Sequence, residues 1–175
     1  MKKVKIAFGA ALVLGVGVLG FAYSGIFNIA ATATHDPVTN WLLTTTRNRS
    51  IEVRAQDIEV PDLDNEKLQL AGLNDYNSMC TECHTAPGRA PSSLAKGLNP
   101  PAPDLAEEAL EKPPEVLFWA TKNGIRMTGM PAWGISHSDE EIWPVIAFLQ
   151  VLPDLDGEDY KEMLEEAQGM GHHAD

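Results

Sequence analysis

Cys80-Thr81-Glu82-Cys83-His84 sets the chain's two cysteines three positions apart, with a histidine directly after the second. The pattern C-x-x-C-H is the attachment signature for haem c. On a turn at a helix end, each thiol can reach one vinyl group of a porphyrin and form a thioether. The imidazole of the next residue can then point at the iron. Other uses of two thiols and an imidazole fit less well. Zinc needs four ligands, and no further cysteine exists to complete a set. A thioredoxin-like redox pair sits in a βαβ setting, and no alternating strand pattern occurs here. A disulfide across two intervening residues would be small and strained.

Iron bound by His84 has a second axial position, and the chain offers Met127, Met130, His137, His35 and the pair His172-His173 for it. Met130 stands in Thr128-Gly129-Met130-Pro131-Ala132-Trp133-Gly134, an irregular stretch between two helical segments. A methionine that only fills the core belongs on an amphipathic face; one in a Gly- and Pro-flanked loop can wrap a haem edge. Met127, three residues earlier, is the alternative. His137 precedes a capping serine and reads as a helix-start residue, His35 abuts an apolar segment, and His172-His173 lies in a polar tail. Trp119, Trp133, Leu117, Leu98 and Leu105 are the candidate pocket walls.

The elements that must position these groups read as helices. Asp64 can cap a helix over roughly 65–80, in which Leu68, Gly72, Tyr76 and Cys80 recur every four residues and form one stripe. Residues 85–114 hold seven prolines and read as a loop folded around something. Pro114 opens a helix that Gly124 closes. Ser138 to Glu141 is a capping box for a helix through Ile142, Val145, Ile146 and Leu149, with Pro144 bending it or delaying its regular start. Asp156 can cap a last helix carrying Tyr160, Met163, Leu164 and Ala167 on one face. Upstream, Asp36-Pro37 starts a helix ending near Arg49, and residues 51–62 read as an extended connector. The expected class is all-α.

Of 175 residues, 25 are acidic and 13 basic, a net charge of −12. Lys2, Lys3 and Lys5 are the only charged side chains before His35; beyond it, all 25 acids face 10 bases. Nucleic acid as a partner is excluded by the lack of clustered Lys and Arg. A hydrophobic content of 44% with four Trp argues against disorder. Residues 6–34 carry no charge, long enough for a membrane-spanning helix. The preceding lysines hold the N-terminus in the cytoplasm and send the rest across. A cleaved signal peptide, with Ala31-Thr32-Ala33 as its cleavage site, is the competing reading. The expected division is a basic stub 1–5, a signal-anchor 6–29, a membrane-proximal helix and connector 30–63, a haem domain 64–153, and an acidic helix and tail 154–175.

The stretch from about Glu66 to Leu152 resembles the class I c-type cytochromes, single-haem electron carriers. The resemblance rests on Gly72-x-x-x-Tyr76-x-x-x-Cys80-x-x-Cys83-His84, Pro101-Ala102-Pro103-Asp104-Leu105, Asn123-Gly124-Ile125, Gly129-Met130-Pro131-Ala132-Trp133, and a closing helix with Trp143 and Phe148. It implies one haem c attached through Cys80 and Cys83, with His84 as proximal and Met130 as distal ligand. It also implies a first and a last helix crossing near the haem, Gly72 admitting an aromatic such as Phe148 or Trp143. The implied activity is electron transfer between redox proteins, outside the cytoplasm and tethered to lipid by the N-terminal helix, rather than catalysis. Two alternatives are an electron-entry subunit of a membrane oxidoreductase complex and a haem ligand sensor with a labile methionine.

Overall fold

Asp36 caps the first helix of the larger of two units, its carboxylate accepting from the amides of Val38 and Thr39, with Pro37 in the first helical position. The structure, a computed structural model, describes residues 2–109 and 112–169; His172-His173 lies outside them. The chain divides into Met1–Thr34 and His35–Asp175. Every regular element among the described residues is helical.

The first unit is α1 (Lys2–Ser24), 23 residues with none buried. At 1.5 Å per residue it is about 35 Å long, enough for the hydrocarbon of a bilayer. It stops earlier than the charge-free run does. Ser24 Oγ accepts from the Ile26 amide at 3.2 Å, and Gly25 takes a φ of 67° between them, so the chain turns off the helix axis there.

The second unit starts with α2 (Pro37–Ala55). This helix does not end near Arg49, and the extended connector does not begin at residue 51. Ile51 and Ala55 are buried, and α2 packs on α7 (Pro114–Asn123). Burial of Ile51 and Ala55 outweighs the weak local signal. Asn65, not Asp64, caps α3 (Glu66–Asp75), accepting from the Leu68 amide at 3.2 Å.

α3 leads through one wide turn (Tyr76–Cys80) into α4 (Thr81–His84). Within the proline-rich stretch, two short helices form that the proline count concealed: α5 (Ser93–Gly97), capped by Ser92, and α6 (Leu105–Glu108), capped by Asp104. α7 comes next, then α8 (Asp139–Leu149) behind the Ser138/Glu141 capping box, then α9 (Gly157–Gly169). Asp156 satisfies the first amides of α9.

α3 crosses α8, and the point of crossing is Gly72. A Cβ there would overlap the carbonyl group of Pro144 and lie 2.8 Å from the Val145 amide nitrogen. Gly72 therefore admits the backbone of α8, not an aromatic ring. The aromatics pack one turn further on: Tyr76 on Phe148 with centroids 5.3 Å apart, and Phe148 on Tyr160 of α9 at 6.2 Å. α9 belongs to the same core through Tyr160, Leu164 and Ala167, and Asn74 Nδ2 donates to the Ala167 carbonyl at 3.0 Å.

Candidate functional site

The turn that carries the C-x-x-C-H residues is not plain α-helix. Residues Tyr76–Cys80 form a π-helical turn, which holds an extra residue per turn and shifts the phase of the residues after it. A four-residue stripe through Cys80 does not foresee this. α4 then ends at Thr85, a non-glycine residue at φ 61°, and the Tyr76 hydroxyl donates to its carbonyl at 3.0 Å. A side chain buried in the helix crossing thus clamps the far end of the motif. The Ser92 hydroxyl adds a second clamp, donating to the Glu82 carbonyl at 2.6 Å.

Beside this turn lies a cavity of about 320 Å³, within the ~300–1,000 Å³ range of small-molecule sites. Cys80, Cys83 and His84 line one side, and Gly129, Met130 and Pro131 contribute to the lining from a second loop. Leu98, Leu105, Leu117 and Trp133 are among the walls, as expected, together with Leu149 of α8. Trp119 is not: it lines a separate groove of about 400 Å³ between α2, α7 and α8, which holds no Cys, His or Met. On α7 the wall side is Leu117, Ala120 and Thr121, and Trp119 falls on another face of the same helix.

The chemistry of the donor set fits a c-type haem. Cys80 and Cys83 are free thiols, and burial pushes the Cys80 thiol up to about 12, with Asp75 and Cys83 adding to the rise. It is therefore neutral at pH 7, unlike the depressed thiols of redox pairs and metal sites. His84 Nδ1 lies 2.9 Å from the Pro103 carbonyl oxygen. A carbonyl only accepts, so Nδ1 carries the proton, and the neutral ring bears its lone pair on Nε2, the form that binds a metal.

The loop carrying Met130 is built by local bonds. Gly124 ends α7 at φ 65°, and a Cβ there would sit 2.7 Å from the Ala132 amide nitrogen. The returning chain is held by the Ile125 amide on the Met130 carbonyl at 3.2 Å and by the Met130 amide on Thr128 Oγ1 at 3.1 Å. Of the other ligand candidates, those among the described residues, Met127, His137 and His35, stay off the cavity lining. Met127 is 91% exposed. His137 packs edge-on to Trp133, its Nδ1 2.9 Å from Ser136 Oγ. His35 is exposed.

A family model described as cytochrome C oxidase, cbb3-type, subunit III matches residues 68–149. This stretch is a class I c-type cytochrome domain. The match supports a haem-binding domain that carries electrons. Among curated proteins and among solved structures nothing matches. The matched span runs from α3 to the end of α8 and leaves out α2 and α9, both of which pack on the cytochrome domain.

A charged lining residue escaped the sequence reading. Arg47 of α2 borders the cavity. The available signal was its spacing: Arg47, Ile51 and Ala55 recur at four-residue intervals on one helix face.

Proposed function

We propose that residues 64–153 hold one haem c, joined covalently to Cys80 and Cys83, with His84 and Met130 as axial ligands. In this reading residues 6–29 anchor the chain in the cytoplasmic membrane, residues 30–63 connect the anchor to the domain, and 154–175 close it. The domain passes single electrons between redox partners on the periplasmic side. The observation that carries the reading is that the two thiols, the imidazole and the Met130 thioether line a single apolar cavity, in which Met79, one residue before Cys80, supplies a second thioether.

Each residue has a physical task. Cys80 and Cys83 tie the group to the chain outside the cell, where lost haem is not recovered. The Pro103 carbonyl fixes the ring of His84 in orientation and tautomer. The Met130 thioether favours the ferrous state over a second nitrogen ligand, and so raises the potential. Leu98, Leu105, Leu117 and Leu149 exclude water, which disfavours the more positive ferric form. When bound, haem would supply the one-electron change, and His84 and Met130 together would leave oxygen and peroxide no place to bind.

Spectra of the purified protein test this. After expression with cytochrome maturation machinery, pyridine treatment should give a c-type spectrum, and the ferric protein should show the weak near-infrared sulfur-to-iron band. Met130→Ala should abolish that band, lower the potential and admit cyanide, whereas Met127→Ala leaves all three unchanged. Loss of the band in Met127→Ala alone would move the ligand by three residues, and a nitrogen-ligand spectrum lost only in His137→Ala would remove the thioether from the mechanism.

A second reading is favoured by the description of the matching family, an oxidase subunit: the chain serves as the electron-entry subunit of a membrane oxidoreductase complex. Purification from detergent with stoichiometric partner subunits supports that reading; recovery alone supports a tethered shuttle.

A further inference from the structure

α2 faces the domain with Arg47, Ile51 and Ala55. Ile51 and Ala55 are buried, and Arg47 is half-buried at the edge of the cavity. A guanidinium on the stripe a helix turns toward an apolar core is costly to desolvate unless an anion compensates it. Among the described residues no carboxylate lies within ion-pair distance of Arg47, whose Nε donates to the neighbouring Asn48 side chain at 3.0 Å. By contrast Arg49, two positions on, is exposed and pairs with Glu52. Apart from the proposed iron ligand His84, the ionisable side chains lining the cavity are the two thiols, Arg47 and the acid Glu82, itself exposed. Arg47 is thus the one permanent cation that the lining of the described residues provides. A haem brings two carboxylates of its own.

We propose that Arg47 binds a haem propionate, which makes α2, a helix outside the family's matched span, part of the haem site and a determinant of its potential. The inference rests on the haem-binding reading above. A guanidinium is planar and always charged, and it matches a carboxylate with two parallel N–H donors. Its charge acts on the redox equilibrium directly. The ferric site carries one more positive charge than the ferrous, so a cation at the cavity wall disfavours oxidation. By neutralising a propionate, Arg47 also removes an anion that would favour oxidation. Both effects raise the potential, and partial burial lets them act through less screening than at an open surface.

The test compares Arg47→Gln, Arg47→Lys and Arg49→Gln in the full-length, haem-loaded protein. The pyridine spectrum and near-infrared band first establish that each variant carries the same haem and ligands. Potentiometric titration should then give a lower potential for Arg47→Gln, most of the wild-type value for Arg47→Lys, and no change for Arg49→Gln, which removes the same net charge from the same helix. The propionate bending band in resonance Raman should shift in Arg47→Gln only. An unchanged potential and unchanged Raman band in Arg47→Gln would overturn the proposal while leaving haem binding intact. Equal potential shifts in Arg47→Gln and Arg49→Gln would also overturn it, by showing a net-charge effect. Absence of covalent haem from the wild type would bring down the functional reading itself, and this inference with it.

Discussion

Replacing Gly72 with alanine tests how the helix crossing positions the turn that carries Cys80, Cys83 and His84. The added methyl carbon would overlap the Pro144 carbonyl and stand 2.8 Å from the Val145 nitrogen. Ordinary contact is near 3.5–4 Å, so α8 must move away by on the order of 1 Å. The obstructing atoms are helix backbone, which cannot swing aside as a side chain does. Overpacking costs about 1–3 kcal/mol, and an overlap with backbone belongs at the upper end. Alanine regains about 1 kcal/mol of helix propensity over glycine. The net expectation is a loss of ~2 kcal/mol, about a 30-fold change in the unfolding equilibrium. Urea unfolding followed by far-ultraviolet circular dichroism reads it as a lower midpoint at unchanged slope. Gly97→Ala is the control, since a Cβ there meets nothing within 4 Å. A Gly72→Ala midpoint at or above wild type would refute the reasoning, because propensity would then outweigh the contact.

Tyr76→Phe removes the hydroxyl that donates to Thr85 and should cost about 1 kcal/mol, with a perturbed Soret band because the end of the haem-binding turn is released; an unaltered melting curve would count against the clamp. Burial raises the phenol of Tyr76 above its ordinary 10.0 and that of Tyr160 up to about 12. Above pH 10 the unfolded phenols ionise while the folded ones stay neutral, so their stabilisation is full below pH 10 and is lost as pH rises through the folded values. Urea midpoints between pH 9.5 and 12 should fall less steeply in Tyr160→Phe than in wild type, and parallel curves would contradict this. Mass analysis of the membrane fraction should find α1 attached; a mature start near Thr34 would instead mark a cleaved signal and a soluble carrier.

The candidate haem-attachment motif was legible in the linear sequence because thioether chemistry needs two thiols and an imidazole at fixed short spacing, which local chain geometry alone imposes. Helix starts at Asp36, Ser138 and Asp156 were legible for the same reason: a capping side chain bonds amides two or three residues away. α1 could be read from a run without charges, since apolar length is itself a local property. Features decided by contacts between distant residues were hidden. α2 runs on to Ala55 because burial against the domain rewards the added residues Ile51 and Ala55. The π turn at Tyr76–Cys80 exists where Tyr76 must meet both Phe148 and the Thr85 carbonyl. Gly72 was visible as a small residue in a stripe, yet only the crossing shows that it faces the Pro144 carbonyl rather than a ring. Trp119 and Leu117 share one short helix and similar hydrophobic character, and only the direction of that helix over the cavity separates wall from groove. Arg47 shows the limit most clearly: its helix lies outside the matched family span, and only the folded chain brings its charge to the edge of an apolar cavity.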